Sequence, residues 1–153
     1  MIGLLHRIAS EGDIAFINSV YNENIDALHG APRTYDRWKE LLSDKDTIYY
    51  IVYTDIPVAW FRIDHESNGL WLGMLQVKPK YQRQGIGRYI LSVLENMAKE
   101  KALPMVGIHT TEDNIPARAL YTSTGFSLSE IGPCTTADGV DRVGYTFQKE
   151  IQI

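Results

Sequence analysis

Tyr81-Gln82-Arg83-Gln84-Gly85-Ile86-Gly87-Arg88 joins two segments of opposite periodicity. Before it lies the apolar run Leu70 to Val77, stopped by Lys78-Pro79-Lys80; after it Ile90, Leu91, Leu94, Met97 and Ala98 recur at helical spacing. Glycines in a strand-to-helix turn let the backbone approach a ligand. Consecutive N–H groups can then converge on phosphate oxygens, and the helix start adds partial positive charge. Arg83 and Arg88 bring charges able to pair with such a group. Two other phosphate loops are excluded: Gly87 is followed by Arg88-Tyr89 and not by Lys and a hydroxyl residue, and no third glycine completes a dinucleotide fingerprint. A tight connection with no ligand would use the same glycines, so the turn needs a second signal.

Working downstream, Leu103-Pro104 ends the helix, and Met105 to His109 reads as a strand that completes a β-α-β unit. A shorter helix around Ala117 to Ser123 is closed by Gly125, and Phe126 to Ile131 and Val143 to Lys149 read as two final strands. Gly132 to Asp141 between them is expected to be a polar loop. Upstream, Leu70 to Val77 is the third strand of a meander, after Ile48 to Tyr53 and Val58 to Ile63, with Asp55-Ile56-Pro57 and Asn68-Gly69 as the turns. Earlier still come a short strand, Leu4 to Ala9, and a helix carrying Ile14, Ile17, Val20 and Tyr21 that runs out near Asn22 to Asp26. A second helix is capped by Thr34, with Tyr35, Trp38, Leu41 and Leu42 on one face. There is no repeat, linker or low-complexity tract, and one mixed α/β domain over residues 1–153 is expected.

Bulk composition narrows the function. The chain has 15 Lys and Arg against 19 Asp and Glu, a net charge of -4, with no basic stripe of the kind that phosphate backbones require. Nucleic acid is not an expected partner. The single cysteine, Cys134, excludes an intrachain disulfide, and no Cys/His spacing resembles a metal site, so no metal is expected. Without a signal-like start or an 18-residue apolar window, no membrane association is expected, and the reading is a cytoplasmic protein.

The second signal is Asn114-Ile115-Pro116-Ala117-Arg118-Ala119-Leu120-Tyr121-Thr122-Ser123-Thr124-Gly125-Phe126, which follows the strand after the long helix. Together the two segments resemble the GNAT superfamily of acetyl-coenzyme A-dependent N-acetyltransferases. Gln82, Gly85 and Gly87 match its glycine signature, and Asn114, Ala117, Tyr121, Gly125 and Phe126 match its later pattern. The match is close from about Leu70 to Phe126, and the order of elements extends it over nearly the whole chain. The resemblance implies a strongly twisted mixed sheet, flanked by helices, whose strands splay on either side of the cofactor helix. It implies that acetyl-coenzyme A lies in that gap as cosubstrate, with its pyrophosphate on Gln82, Arg83, Gln84, Gly85, Ile86, Gly87 and Arg88. Its pantetheine would pair with backbone around Leu75, Gln76 and Val77, as a strand adds to an edge. Asn114 would bond the pantetheine arm, with Ala117 on the same flanking helix, and Tyr121 would sit near the thioester sulfur.

Chemistry supports Tyr121 separately: amine attack on a thioester expels a thiolate, and a positioned phenol can protonate that leaving group. Elsewhere on an amphipathic helix the same ring would be ordinary core. Family members often carry a Glu base on the strand before the glycine turn, but Leu70 to Val77 contains no carboxylate. Glu112 and His109 are the candidate bases, with a water chain ending on backbone carbonyls as an equal competitor. The acceptor, a primary amine of a small molecule or peptide, is expected near the early helices, where Asn22, Glu23, Asn24, Asp26 and His29 cluster. Exposed charges near a helix end are usually only solvation and capping. Direct attack is expected, since Cys134 has no adjacent His to activate it. A non-catalytic acyl-coenzyme A-binding module or sensor is the alternative, and a homodimer through the exposed final strands is compatible with the sequence.

Overall fold

The meander is the structural centre. In the computed structural model, which describes residues 3–152, β2 (Thr47–Tyr53), β3 (Pro57–Glu66) and β4 (Gly69–Val77) pair antiparallel in sequence order. β1 (Leu5–Ile8) adds antiparallel to β2. On the other side β5 (Met105–Thr111) runs parallel to β4, and β7 (Asp141–Glu150) lies between β5 and β6 (Ser127–Thr135). The seven strands form one mixed sheet of order β1-β2-β3-β4-β5-β7-β6.

Alternation along the strands gives the sheet two apolar faces, and each is covered. On one side, α1 (Ile14–Glu23) and α3 (Tyr35–Leu42) bury Ile17, Tyr21 and Trp38 against Tyr49, Ile51 and Trp60. Trp38 and Trp60 pack edge to face at 5.8 Å, and full burial of such rings contributes about 1.5–3 kcal/mol each. Thr34 caps α3 as its sequence position predicts, accepting a bond from the Arg37 amide at 3.1 Å. On the other side, α4 (Ile86–Glu100) seats Ile86, Ile90, Leu91 and Leu94 on Phe61, Leu72 and Val106, and α5 (Ile115–Ser123) brings Tyr121 to the same core. Between α1 and α3 a short turn of helix, α2 (Ile25–Leu28), ends at His29 in a left-handed conformation. No helix among the described residues is long and apolar enough to cross a membrane.

Two local expectations need correction. Half of the stretch Gly132 to Asp141 is strand: β6 continues to Thr135 and β7 starts at Asp141, leaving residues 136–140 as the loop. Pro133 does not stop β6, because β6 is an edge strand and one of its sides needs no ladder donors. The helix of the later motif also starts earlier than Ala117, at Ile115, since Asn114 caps it through a bond from the Ala117 amide at 3.3 Å.

Candidate active site

A β-bulge creates the site. Arg62 on β3 pairs with Met74, yet its neighbour Ile63 pairs with Leu72, so Gly73 is the extra residue on β4. β4 and β5 are paired at Leu70, Trp71 and Leu72, and the ladder stops there, at the bulge. Beyond it β4 follows β3 while β5 follows β7, and a wedge opens between them. The wedge is a cavity of about 500 Å³, with Met74, Leu75 and Gln76 on one wall and His109, Thr146 and Tyr145 on the other.

The glycine turn stands where β4 leads into α4. Gly85 is in the left-handed region at φ 87°, and a β-carbon there would meet nothing within 4 Å. The amides of Gly85, Ile86 and Gly87 donate to no backbone acceptor outside the helix among the described residues. They, with the helix dipole and the exposed Arg83, form an anion-receptive surface. Arg88 bonds Ser123 on α5 at 3.0 Å, and Gly87 faces Leu120 of α5 at short range. Gln82 turns back: its amide donates to the Val77 carbonyl at 3.1 Å, and Asn24 of the α1–α2 junction donates to the same oxygen at 3.1 Å and to Gln76 Oε1 at 3.1 Å. The end of β4 is thus fixed from both sides, while Leu75 keeps an edge towards the wedge.

Tyr121 lines the cavity from α5. Its ring packs on Phe147 at 5.6 Å, and its hydroxyl has no protein partner among the described residues. Burial pushes its pKa up to about 12, which keeps the phenol protonated. Asn114 also lines the wedge; with Oδ1 spent on the helix cap, its amide nitrogen is left over. Ala117, one turn on, packs at the margin of the core.

The two carboxylate and imidazole candidates separate. His109 faces the cavity, stacked on Trp71 with centroids 4.7 Å apart and planes at 12°, and its Nδ1 lies 2.9 Å from Thr146 Oγ1. Nδ1 is occupied, so Nε2 is the free nitrogen. Gly107 makes room for the stack, since a β-carbon there would strike the Trp71 ring. Glu112 is exposed in the turn after β5 and does not line the cavity; its backbone is held by Val143 and Arg118. The structure brings a different carboxylate to the wall: Glu130, level with Thr146 in the β6–β7 ladder, as His109 is level with Thr146 in the β5–β7 ladder. Glu130 follows a bulge on an edge strand, so period-two counting from Phe126 gives no hint of it.

Of the polar segment Asn22 to His29, Ala27 and Leu28 line the cavity. Glu23 and His29 are engaged elsewhere. Glu23 lies 3.9 Å from Lys78, and His29 Nε2 lies 2.7 Å from Asp113, which this partner and Thr111 hold below the usual carboxylate range, Thr111 having the larger effect. The backbone carbonyl of His29 accepts from Asp138 at 3.0 Å, and Asp138 pairs with Arg142 at 2.9 Å. This latch ties α2 to the β6–β7 tip.

Residues 16–126 match the model of the Acetyltransferase (GNAT) family, and the chain belongs to that family. A curated relative, mycothiol acetyltransferase of Jonesia denitrificans, is 31% identical over 75 residues; the match covers 49% of this chain and 24% of that protein's length. The ribosomal-protein-S18-alanine N-acetyltransferase of Escherichia coli superposes with a TM-score of 0.79 at 19% identity, over 98% of this chain and 95% of that one. A Salmonella typhimurium structure solved with its cofactor acetyl-CoA gives a TM-score of 0.76 at 17% identity, over 98% and 95%. At such identities the structural likeness concerns the fold.

Proposed function

We propose that this protein is an N-acetyltransferase that uses acetyl-coenzyme A as cosubstrate and acetylates a primary amine by direct attack. The observation that carries this reading is the unpartnered hydroxyl of Tyr121 inside the wedge, on a helix whose Leu120 and Ser123 meet the first turn of α4. Membership of the family supports it.

The residues fit coenzyme A. The open space at Gly85 and the free amides beside it suit a pyrophosphate, with Arg83 at hand to neutralise charge. The β4 edge after Leu72 has lost β5, so the backbone around Leu75 and Gln76 is available to an extended amide-bearing chain, and the Asn114 amide nitrogen is available opposite. The Val77 carbonyl is already shared by Asn24 and Gln82, so Val77 contributes mainly by holding β4 in place.

Bound acetyl-coenzyme A supplies an acetyl thioester as the electrophile. The chain provides two proton positions. Tyr121 keeps its proton at Oη throughout the neutral range and donates it where negative charge develops on sulfur. When Thr146 accepts the Nδ1 proton of His109, Nε2 carries the lone pair and takes the proton of the attacking amine, directly or through water. His109 gains one proton and Tyr121 gives one, and return of a proton from the imidazolium to the phenolate through water resets both, while the acetyl group passes directly to the amine.

The test combines titration calorimetry with coenzyme A and a transfer assay over a panel of primary amines and peptides. Coenzyme A binding together with amide formation is expected. Tight binding with no transfer to any acceptor would overturn the enzyme reading in favour of an acyl-coenzyme A-binding module.

A further inference from the structure

Arg33, in the segment between α2 and α3, is a half-buried cation without an anion. Its guanidinium lies 4.8 Å from the ring centroids of both Tyr21 and Trp38, and one of its terminal nitrogens lies 4.0 Å from the Met74 sulfur. No carboxylate is within ion-pair distance of it among the described residues, whereas the half-buried Arg62 and Arg142 are paired, with Asp64 at 2.8 Å and Asp138 at 2.9 Å. Two buried rings, set edge to face at 83°, hold the guanidinium, and among the described residues its N–H groups have only the long contact with the Met74 sulfur.

Position gives that edge a use. Met74 is the shared residue: its sulfur touches Arg33, and its surface lines the wedge beside Ala27 and Leu28 of α2. An unbranched thioether is a movable partition between the two. Across the wedge, on the same face of the sheet, stand His109, Thr146 and Glu130. The acceptor side of the cavity is therefore bipolar, with a carboxylate and an imidazole at one wall and an unpaired guanidinium behind the other.

We propose that Arg33 recognises a carboxylate on the acceptor, and that the acceptor is a small amino-carboxylic acid. The ammonium group is drawn to Glu130 and delivered to His109, while the carboxylate slips past Met74 to Arg33 and takes its free donors. The first residue of a peptide carries an amide where a free amino acid carries its α-carboxylate. The proposal rests on the acetyltransferase reading and narrows it to a substrate class.

The test uses amino acids, their primary amides and their decarboxylated amines as acceptors, at saturating acetyl-coenzyme A. A charged hydrogen-bonded pair predicts that the best amino acid exceeds its own amide by roughly ten- to a hundredfold in kcat/KM. Arg33→Gln should abolish that preference by raising KM for the acid, leave the amide and kcat nearly unchanged, and Arg33→Lys should restore part of it. Because Arg33 also covers Tyr21 and Trp38, the comparison of acid with amide on the unaltered protein stands even if a variant unfolds. Equal use of acids and amides, an unchanged preference in a folded Arg33→Gln variant, or transfer confined to peptides would each overturn the proposal and leave the acetyltransferase reading intact. Failure to bind coenzyme A would remove both.

Discussion

The guanidinium of Arg62 occupies the space in which a β-carbon on Gly73 would stand, and Asp64 holds it there through bonds of 2.8 and 3.0 Å. The bulge at Gly73 and the ion pair on β3 are therefore one device, and the wedge depends on it. Gly73→Ala should push the guanidinium end of Arg62 off Asp64 and destabilise the protein by up to about 1 kcal/mol, the worth of a partly exposed ion pair. Denaturant unfolding measures this. An unchanged midpoint would mean that Arg62 yields freely and does not set the bulge.

Removal of the Tyr121 hydroxyl should separate chemistry from binding. Tyr121→Phe is expected to lower single-turnover transfer by roughly ten- to a thousandfold with little change in coenzyme A affinity. Single-turnover data are needed, because slow product release can mask part of the loss. Wild-type rates in a folded Phe variant would assign the ring to packing.

The same residue predicts an alkaline effect on stability. Burial raises the Tyr121 pKa from about 10 unfolded to about 12 folded. Both states are neutral below pH 10, so this contribution is fully present there. As pH rises from 10 to 12 the unfolded chain loses its proton first, and stability falls by on the order of 2–3 kcal/mol. The difference in unfolding free energy between the wild type and Tyr121→Phe should change by that amount between pH 9 and 12. A constant difference would contradict it.

Gly85 offers a clean test of the pyrophosphate seat. No atom stands near its missing β-carbon, so a side chain there disturbs no packing and costs only the positive φ, about 1–2 kcal/mol. Gly85→Asp should keep the fold by circular dichroism yet bind coenzyme A far more weakly, since the carboxylate repels phosphate at the helix start. Gly85→Ala should lose much less. Equal affinity in the folded Asp variant would dismiss the seat.

His109→Gln should reduce transfer at neutral pH by about a hundredfold or more, whereas Glu112→Gln should leave it within twofold, because one side chain lines the wedge and the other does not. Steady-state assays on both variants decide between them. A large loss confined to Glu112→Gln would reverse the assignment.

What the sequence made legible was local in character. The glycine turn, the Thr34 cap and the Asn114 to Phe126 helix each draw their signal from neighbours a few residues apart, and each has its expected place in the structure. The missed features are registers. Gly73 becomes a bulge only because Arg62 lies across from it, and Glu130 reaches the wall only because a second bulge shifts β6 against β7. Arg33 reads as a loop cation until Tyr21, Trp38 and Met74 converge on it from three elements. Cross-strand partners of this kind are not encoded in the period of any single segment.

The placement of β7 between β5 and β6 bears on how a chain made from its N-terminus completes the sheet. A nascent chain synthesised as far as residue 140 already holds the glycine turn, α4 and Tyr121, yet the free side of β5 has nothing to pair with, and Thr146 is not there to steady His109. The wedge has only one wall at that stage. The last strand of the sheet to emerge from the exit tunnel is the one that threads between two earlier strands, and the second wall of the wedge arrives with it.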